Sequence, residues 1–186
     1  MGLKISFDNK QRDFSRIKFI IVGDNPGYEE YQKGRFFVGP SGSILRNHFT
    51  KHQFVDDFDE ECIVINKTFL STKSTKELRE IKRKIGEKNF NNILLYTSYE
   101  VANYSNNLKI PIIIIGKSEL KNGGLFNVFW KNLNKISEFK GNIYVFKHTS
   151  NGNFSKDWKQ FERESNLQGI DLLKFIGKNN LKTLSQ

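Results

Sequence analysis

One cysteine in 186 residues excludes an internal disulfide, and it excludes a metal or iron–sulfur centre held by several thiolates of a single chain. That residue, Cys62, opens the apolar run Cys62–Ile65 and reads as a buried core thiol. No apolar run is long enough to span a bilayer. Nor does the sequence begin with a basic segment followed by an apolar one, so a reducing cytoplasm is the expected setting. Acidic residues are scarce relative to basic ones, 20 against 30, for a formal net charge of +10. Such an excess suits a polyanionic partner such as nucleic acid, or reflects only a composition rich in Lys and Asn. No repeat, linker or low-complexity segment divides the chain, so residues 1–186 read as one domain.

What is present builds a core. Hydrophobic residues make up 37% of the chain, which suits one soluble globular domain, and 17 phenylalanines leave rings for stacking beyond those a core needs. Four apolar runs read as strands: Ile17–Val22, Cys62–Ile65, Pro111–Ile115 and Asn142–Phe146. They lack clear alternation, as strands do when both faces of a parallel sheet are covered. Helical spacing fills the intervals: Ser41–His52, Thr75–Lys88, Asn91–Tyr104, Leu125–Phe139, and Ser155–Phe175 with Ser155 as its N-cap. Strands alternating with helices predict an α/β fold, a three-layer α/β/α sandwich around a mainly parallel four-stranded sheet. The first few residues and Lys178–Gln186 are expected to fray.

In such a sheet the ligand sits at the carboxyl ends of the strands. Those ends are Gly23-Asp24-Asn25, Asn66-Lys67-Thr68, Gly116-Lys117-Ser118 and Lys147-His148-Thr149-Ser150, all polar and chemically capable. The densest stretch is FIIVGDNPGYEEYQKGRFFVGPSGSIL, Phe19 to Leu45. Gly23 permits a sharp exit from the strand, and Pro26-Gly27 fixes a turn that presents Asp24 and Asn25. By itself this is an ordinary turn or part of a site. Phe37 stacks on a flat ligand or packs in the core. Ser41 and Gly42 open a helix whose first amides suit phosphate, or Ser41 is a plain N-cap. Asn66 caps the next turn or reads a base edge, since one amide both donates and accepts and so separates uracil from cytosine. His148 is structural or belongs to the ligand edge.

Taken together, these residues resemble the uracil-DNA glycosylase superfamily, and most nearly its family-four, iron–sulfur type. The likeness runs through Gly23-Asp24-Asn25-Pro26-Gly27, Glu29-Glu30, Gly34-Arg35, Phe37-Val38-Gly39, Ser41-Gly42 and Leu45, then Asn66-Lys67 and His148-Thr149-Ser150. The resemblance implies a DNA partner containing uracil or another damaged base, which is flipped into the cleft. It implies Gly23, Phe37 and Asn66 as the base-binding set, and His148 as donor to the O2 oxygen where negative charge grows. Asp24 and Asn25 would line the water site. Ser41, Gly42, Lys67, Ser150 and Asn151 would contact DNA, with Asn151 or Phe154 as the wedge and the basic Thr75–Lys88 segment against phosphates. No metal and no cofactor is expected.

The sequence departs from that pattern in four ways. The cluster cysteines are absent, Thr149 and Phe36 replace prolines, and Tyr31 stands where an acidic residue is common. A catalytically weak binding module on the same fold, or a glycosylase for another deaminated or mismatched base, are the alternatives.

Overall fold

The structure is a computed structural model that describes residues 13–184, apart from the side chains of Thr75 and Asn151. Its centre is a four-stranded sheet of β1 (Phe19–Gly23), β2 (Cys62–Asn66), β3 (Ile112–Ile115) and β4 (Ile143–Phe146). The strand order is β2-β1-β3-β4, and every pairing is parallel. The apolar runs hide a strict alternation. Phe19, Ile21, Ile113, Ile115, Tyr144 and Phe146 face one helical layer, while Ile20, Val22, Ile112, Ile114, Ile143 and Val145 face the other. Both sets are buried, which is why no polar residue marks the period.

The first layer holds α2 (Pro40–Lys51), α3 (Phe58–Glu61), α7 (Asn153–Glu164) and α8 (Gly169–Lys182), with Leu45, Phe49, Phe58, Trp158 and Leu172 against the sheet. The second holds α4 (Thr75–Ile85), α5 (Glu87–Leu108) and α6 (Asn127–Ile136), with Leu78, Leu94, Val101, Phe129 and Leu133 inward. Cys62 is fully buried in the first layer. This is the α/β/α sandwich expected from the strand and helix pattern. Among the described residues, no helix is long and apolar enough to cross a membrane.

Several boundaries differ from expectation, each for a local reason. The segment Thr75–Lys88 stops at Ile85 because Gly86, at φ +84°, breaks the backbone and starts α5, which then runs on to Leu108. The expected closing helix Ser155–Phe175 is two helices, separated by residues 165–168 before Gly169 at φ +55°. Ser155 is not the N-cap; Gly152 is, at φ +68°, and Ser155 lies inside α7. The last helix continues through Lys182 rather than fraying from Lys178, and the first few residues lie outside the described part. Helix α1 (Tyr28–Lys33) and α3 carried no periodicity that the sequence could display at six and four residues.

Topology fixes where a ligand goes. From β1 the chain crosses to β2 on one side, and from β3 it crosses to β4 on the other. The crevice between the carboxyl ends of β1 and β3 is therefore the topological switch point.

Helices α2 and α7 meet through an aromatic cluster built around His48. Its ring lies 4.2 Å from Trp158, 4.9 Å from Phe154 and 4.2 Å from His52, centroid to centroid. The buried Nε2 has no hydrogen-bond partner among the described residues. Burial, with the neighbouring His52 and Lys51, pushes the His48 pKa down to about 3. The folded state thus keeps His48 neutral while the unfolded chain takes up a proton below about 6.5, so stability is lost as the pH falls from about 6.5 towards 3. The slope steepens below about pH 6.5, and from about pH 5.5 to about 4.5 this residue should contribute a loss approaching about 1.4 kcal/mol per pH unit. Urea titrations of the wild type and His48→Phe across that window check it; an unchanged slope in the variant would refute the assignment.

Candidate active site

Each strand end delivers one part of a cleft of about 730 Å³. Gly23 closes β1 and lies in register opposite Asn66, the last residue of β2. A Cβ on Gly23 would collide with the Asn66 amide and stand 3.0 Å from the Cζ of the Phe37 ring. Absence of a side chain at Gly23 therefore lets an aromatic face and an amide share one floor. Asn66 is buried, and its Nδ2 has no hydrogen-bond partner among the described residues. A buried donor left unpaired costs stability on the order of 1–3 kcal/mol, a cost that an acceptor on a bound ligand would relieve.

Phe37 is held in an unusual backbone. Its φ of 53° lies in the left-handed region, which a bulky residue rarely adopts. Two charged side chains hold it from opposite sides. The Glu30 carboxylate accepts from the N–H groups of Gly27 (2.7 Å), Phe37 and Val38. Burial pushes the Glu30 carboxyl up, against the pull of those three amides and of Arg46. Arg46 donates from Nε to the Phe37 carbonyl and from a terminal nitrogen to the Phe36 carbonyl, both at 2.9 Å, and pairs with Asp59 at 2.7 Å. Gly42, in the first turn of α2, completes the clamp, because any Cβ there would strike the Phe37 backbone. The spacing of Gly27 and Glu30, three residues apart at a helix start, is that of a capping box. Arg46 left no such signal.

Asp24 and Asn25 follow Gly23. Asn25 donates from Nδ2 to the Thr72 hydroxyl (3.0 Å), the Thr72 carbonyl (3.2 Å) and the Pro26 carbonyl (3.2 Å). With its nitrogen tied to the loop after β2, the side chain offers its carbonyl oxygen to the cleft it lines. The Asp24 carboxylate is paired through Oδ1 with the Lys67 ammonium. It rests against Gly116, where φ is +93° and a Cβ would collide with the carboxylate.

His148 completes the set after β4. Its Nδ1 accepts from the Ser150 backbone N–H at 3.0 Å and lies 2.7 Å from the Ser150 hydroxyl. An Nδ1 that accepts from a backbone amide carries no proton, so the neutral ring holds its proton on Nε2. Burial lowers the His148 pKa; the nearby Asp24 raises it and Lys67 lowers it further.

The structure brings Gly23, Asp24, Asn25, Phe37, Asn66 and His148 around one cleft, together with Ser41, Gly42 and Ser150. Lys67 departs from expectation. It is fully buried and faces inward, so no DNA phosphate reaches its ammonium. Phe154 is buried among His48, Phe146 and Trp158 and has no surface to serve as a wedge. Asn151 belongs to the turn Ser150–Gly152, its side chain outside the described residues. Thr72 and Glu119 also line the cleft without having been legible. Glu119 accepts from Arg79 and from the Leu125 N–H, both at 2.7 Å, and ties α4 to the loop after β3. No group of three or more His, Cys, Asp or Glu among the described residues is placed to hold a metal.

Among protein families, the chain matches the Uracil DNA glycosylase superfamily over residues 11–167. No curated protein matches it.

The clamp on Phe37 has two measurable consequences. Gly42→Ala should destabilise the protein by about 1–3 kcal/mol through overpacking against the Phe37 backbone. In Glu30→Ala the Phe37 amide should exchange with solvent at least about tenfold faster, as expected for loss of a charge-assisted hydrogen bond worth about 1.5 kcal/mol or more. Hydrogen exchange followed by NMR reads the second; unaltered protection would mean that Glu30 does not hold the loop.

Proposed function

The chain belongs to the uracil DNA glycosylase superfamily, and we propose that it excises uracil from DNA by hydrolysing the N-glycosidic bond of a flipped-out nucleotide. The observation that carries this reading is the buried, unpartnered Nδ2 of Asn66 beside the Phe37 ring. Uracil presents an acceptor at O4 and a donor at N3, which an amide fixed in one orientation satisfies through its nitrogen and its oxygen. Cytosine presents the reverse pattern and would leave the amide facing groups of its own kind. Phe37 covers one face of the ring.

The remaining residues support a hydrolytic route. The bond between C1′ and N1 breaks with its electron pair passing to the base, and negative charge collects at O2. His148 donates from Nε2–H to that oxygen, a fixed dipole aimed at developing charge. Water attacks C1′, oriented by the carbonyl oxygen of Asn25 and the carboxylate of Asp24. The negative charge of Asp24 favours the cationic sugar, and the proton of the attacking water leaves to Asp24 or to solvent. The net charge of +10 favours binding to the phosphate backbone. Helix α4 starts at the cleft edge, where its N-cap Ser74 and the preceding Lys73 line the cleft.

A second reading concerns the base. A Cβ built on Gly27 meets nothing nearer than a Glu30 oxygen at 3.6 Å, so this wall of the cleft has room. That favours tolerance of a substituted or larger base.

Oligonucleotides carrying one uracil, thymine mismatch, hypoxanthine or xanthine, in single and double strands, test both readings after alkaline cleavage of abasic sites. Cleavage at uracil is the expected result. His148→Ala and Asn66→Ala should each lower kcat by about 10²–10³-fold, and the Asp24→Ala/Asn25→Ala double variant should abolish release. Full activity in that double variant would sink the mechanism. Tight binding to uracil-containing DNA without any abasic product would make the protein a binding module instead.

A further inference from the structure

Lys67 is fully buried, yet its amino group is paired with a carboxylate. Its ammonium meets three oxygens: Asp24 Oδ1, the Ile115 carbonyl at 2.6 Å and the Gly116 carbonyl at 3.4 Å. An ammonium has three donors, and three acceptors satisfy it; a neutral amine would turn a lone pair towards one of those oxygens. The Phe126 ring, 5.1 Å from Nζ, covers the group from the second helical layer. The Thr97 hydroxyl of α5 holds the Lys67 carbonyl at 2.6 Å, so the backbone is fixed as well. The pair lies at the switch point between β1 and β3, directly behind the cleft. A buried ion pair is seldom more stable than an apolar pair of the same shape, so its presence there calls for a role.

We infer that Lys67 is a positioning residue for this site: its buried ammonium takes Asp24 Oδ1, and so fixes the carboxylate with Oδ2 left for water. This rests on the glycosylase reading above. Lys67 touches neither base nor phosphate and acts through Asp24 alone. Gly116 belongs to the same device, since any side chain there would push the carboxylate off the ammonium. The titratable groups around the pair are His148, neutral in this arrangement, and Glu119, which is paired with Arg79. Burial draws the Lys67 pKa down while Asp24 and Glu119 draw it up. His148 feels Asp24 and Lys67 with opposite sign. Removal of Lys67 alone would therefore leave His148 beside an uncompensated carboxylate.

Three variants test the inference: Lys67→Met, Asp24→Asn, and the two combined. Lys67→Met should lower kcat by about 10²-fold through misplacement of Asp24, with KM changed less than about threefold. In substrate-free Lys67→Met, the His148 ring followed by NMR should titrate at higher pH than in the wild type. In the combined variant that titration should return towards wild type. Its kcat should be no lower than that of Asp24→Asn, because two residues acting as one unit are not additive. The combined variant buries no unpaired charge, so it keeps the test open if Lys67→Met does not fold.

A loss confined to KM, multiplicative losses in the combined variant, or a His148 titration unmoved by Lys67→Met would overturn the inference. A wild type without glycosylase activity but with the His148 shifts intact would instead overturn the proposed reaction and leave the positioning role standing.

Discussion

The cleft exists because β1 ends in a residue without a side chain. Parallel pairing sets Gly23 opposite Asn66, so any atom larger than hydrogen at Gly23 would drive the amide and the Phe37 ring away from each other. The same constraint recurs one strand over, where Gly116 leaves room for the Asp24 carboxylate. Strand ends in a parallel sheet are about 4.8 Å apart, too close for two large side chains and a ligand together. Glycine on one partner gives the neighbour's functional group the space, and that is how four short strands supply an amide, a carboxylate and an imidazole to one crevice.

Around that floor the protein spends charge on geometry. Glu30 gathers three backbone N–H groups and Arg46 two carbonyls, and between them Phe37 stays in a left-handed conformation. Strain of this kind persists only where the surroundings over-determine it. Lys67 and Asp24 make the second such expenditure, a buried ion pair at the switch point. Both devices place side chains that line the cleft, and both lie just behind it. The orphaned Asn66 nitrogen fits the same pattern, since it is a group left unsatisfied at the point where a ligand would satisfy it.

The fold was legible because each strand is an uninterrupted apolar run between polar strand ends, and because sheets with covered faces lose their alternation in sequence. Asp24, Asn25, Asn66 and His148 were legible for a related reason: each lies within two residues of a strand end, where topology alone directs a ligand. Lys67 was misread because the sequence shows a lysine after a strand and cannot show that its side chain turns inward under Phe126. Phe154 was misread because the aromatic partners that cover it from outside its own helix, His48 and Phe146, come from α2 and β4. The break between α4 and α5 was placed a few residues late, and the break after Glu164 was missed, because helical spacing continues across both and only the positive-φ glycines Gly86 and Gly169 mark them. Glu30 and Arg46 act at separations of seven to ten residues, beyond any local spacing rule.

Thr149 is a departure from the pattern that the sequence resembles, and its surroundings show what stands in place of the proline. A proline at this point would restrict the backbone after His148. In its place stands a threonine that is fully buried, with helical backbone angles of φ −70° and ψ −20°. A φ of −70° is close to the value a proline ring imposes, so this backbone is one that a proline could also adopt. What the ring would have restrained is restrained by Ser150, whose N–H and hydroxyl both engage His148 Nδ1. These contacts fix more than the loop. By occupying Nδ1 they select the tautomer that presents Nε2–H, so rigidity and chemical competence come from the same pair of atoms. Loss of proline therefore does not by itself imply loss of function: the hydrogen bond that replaces its constraint also sets the direction in which His148 can donate.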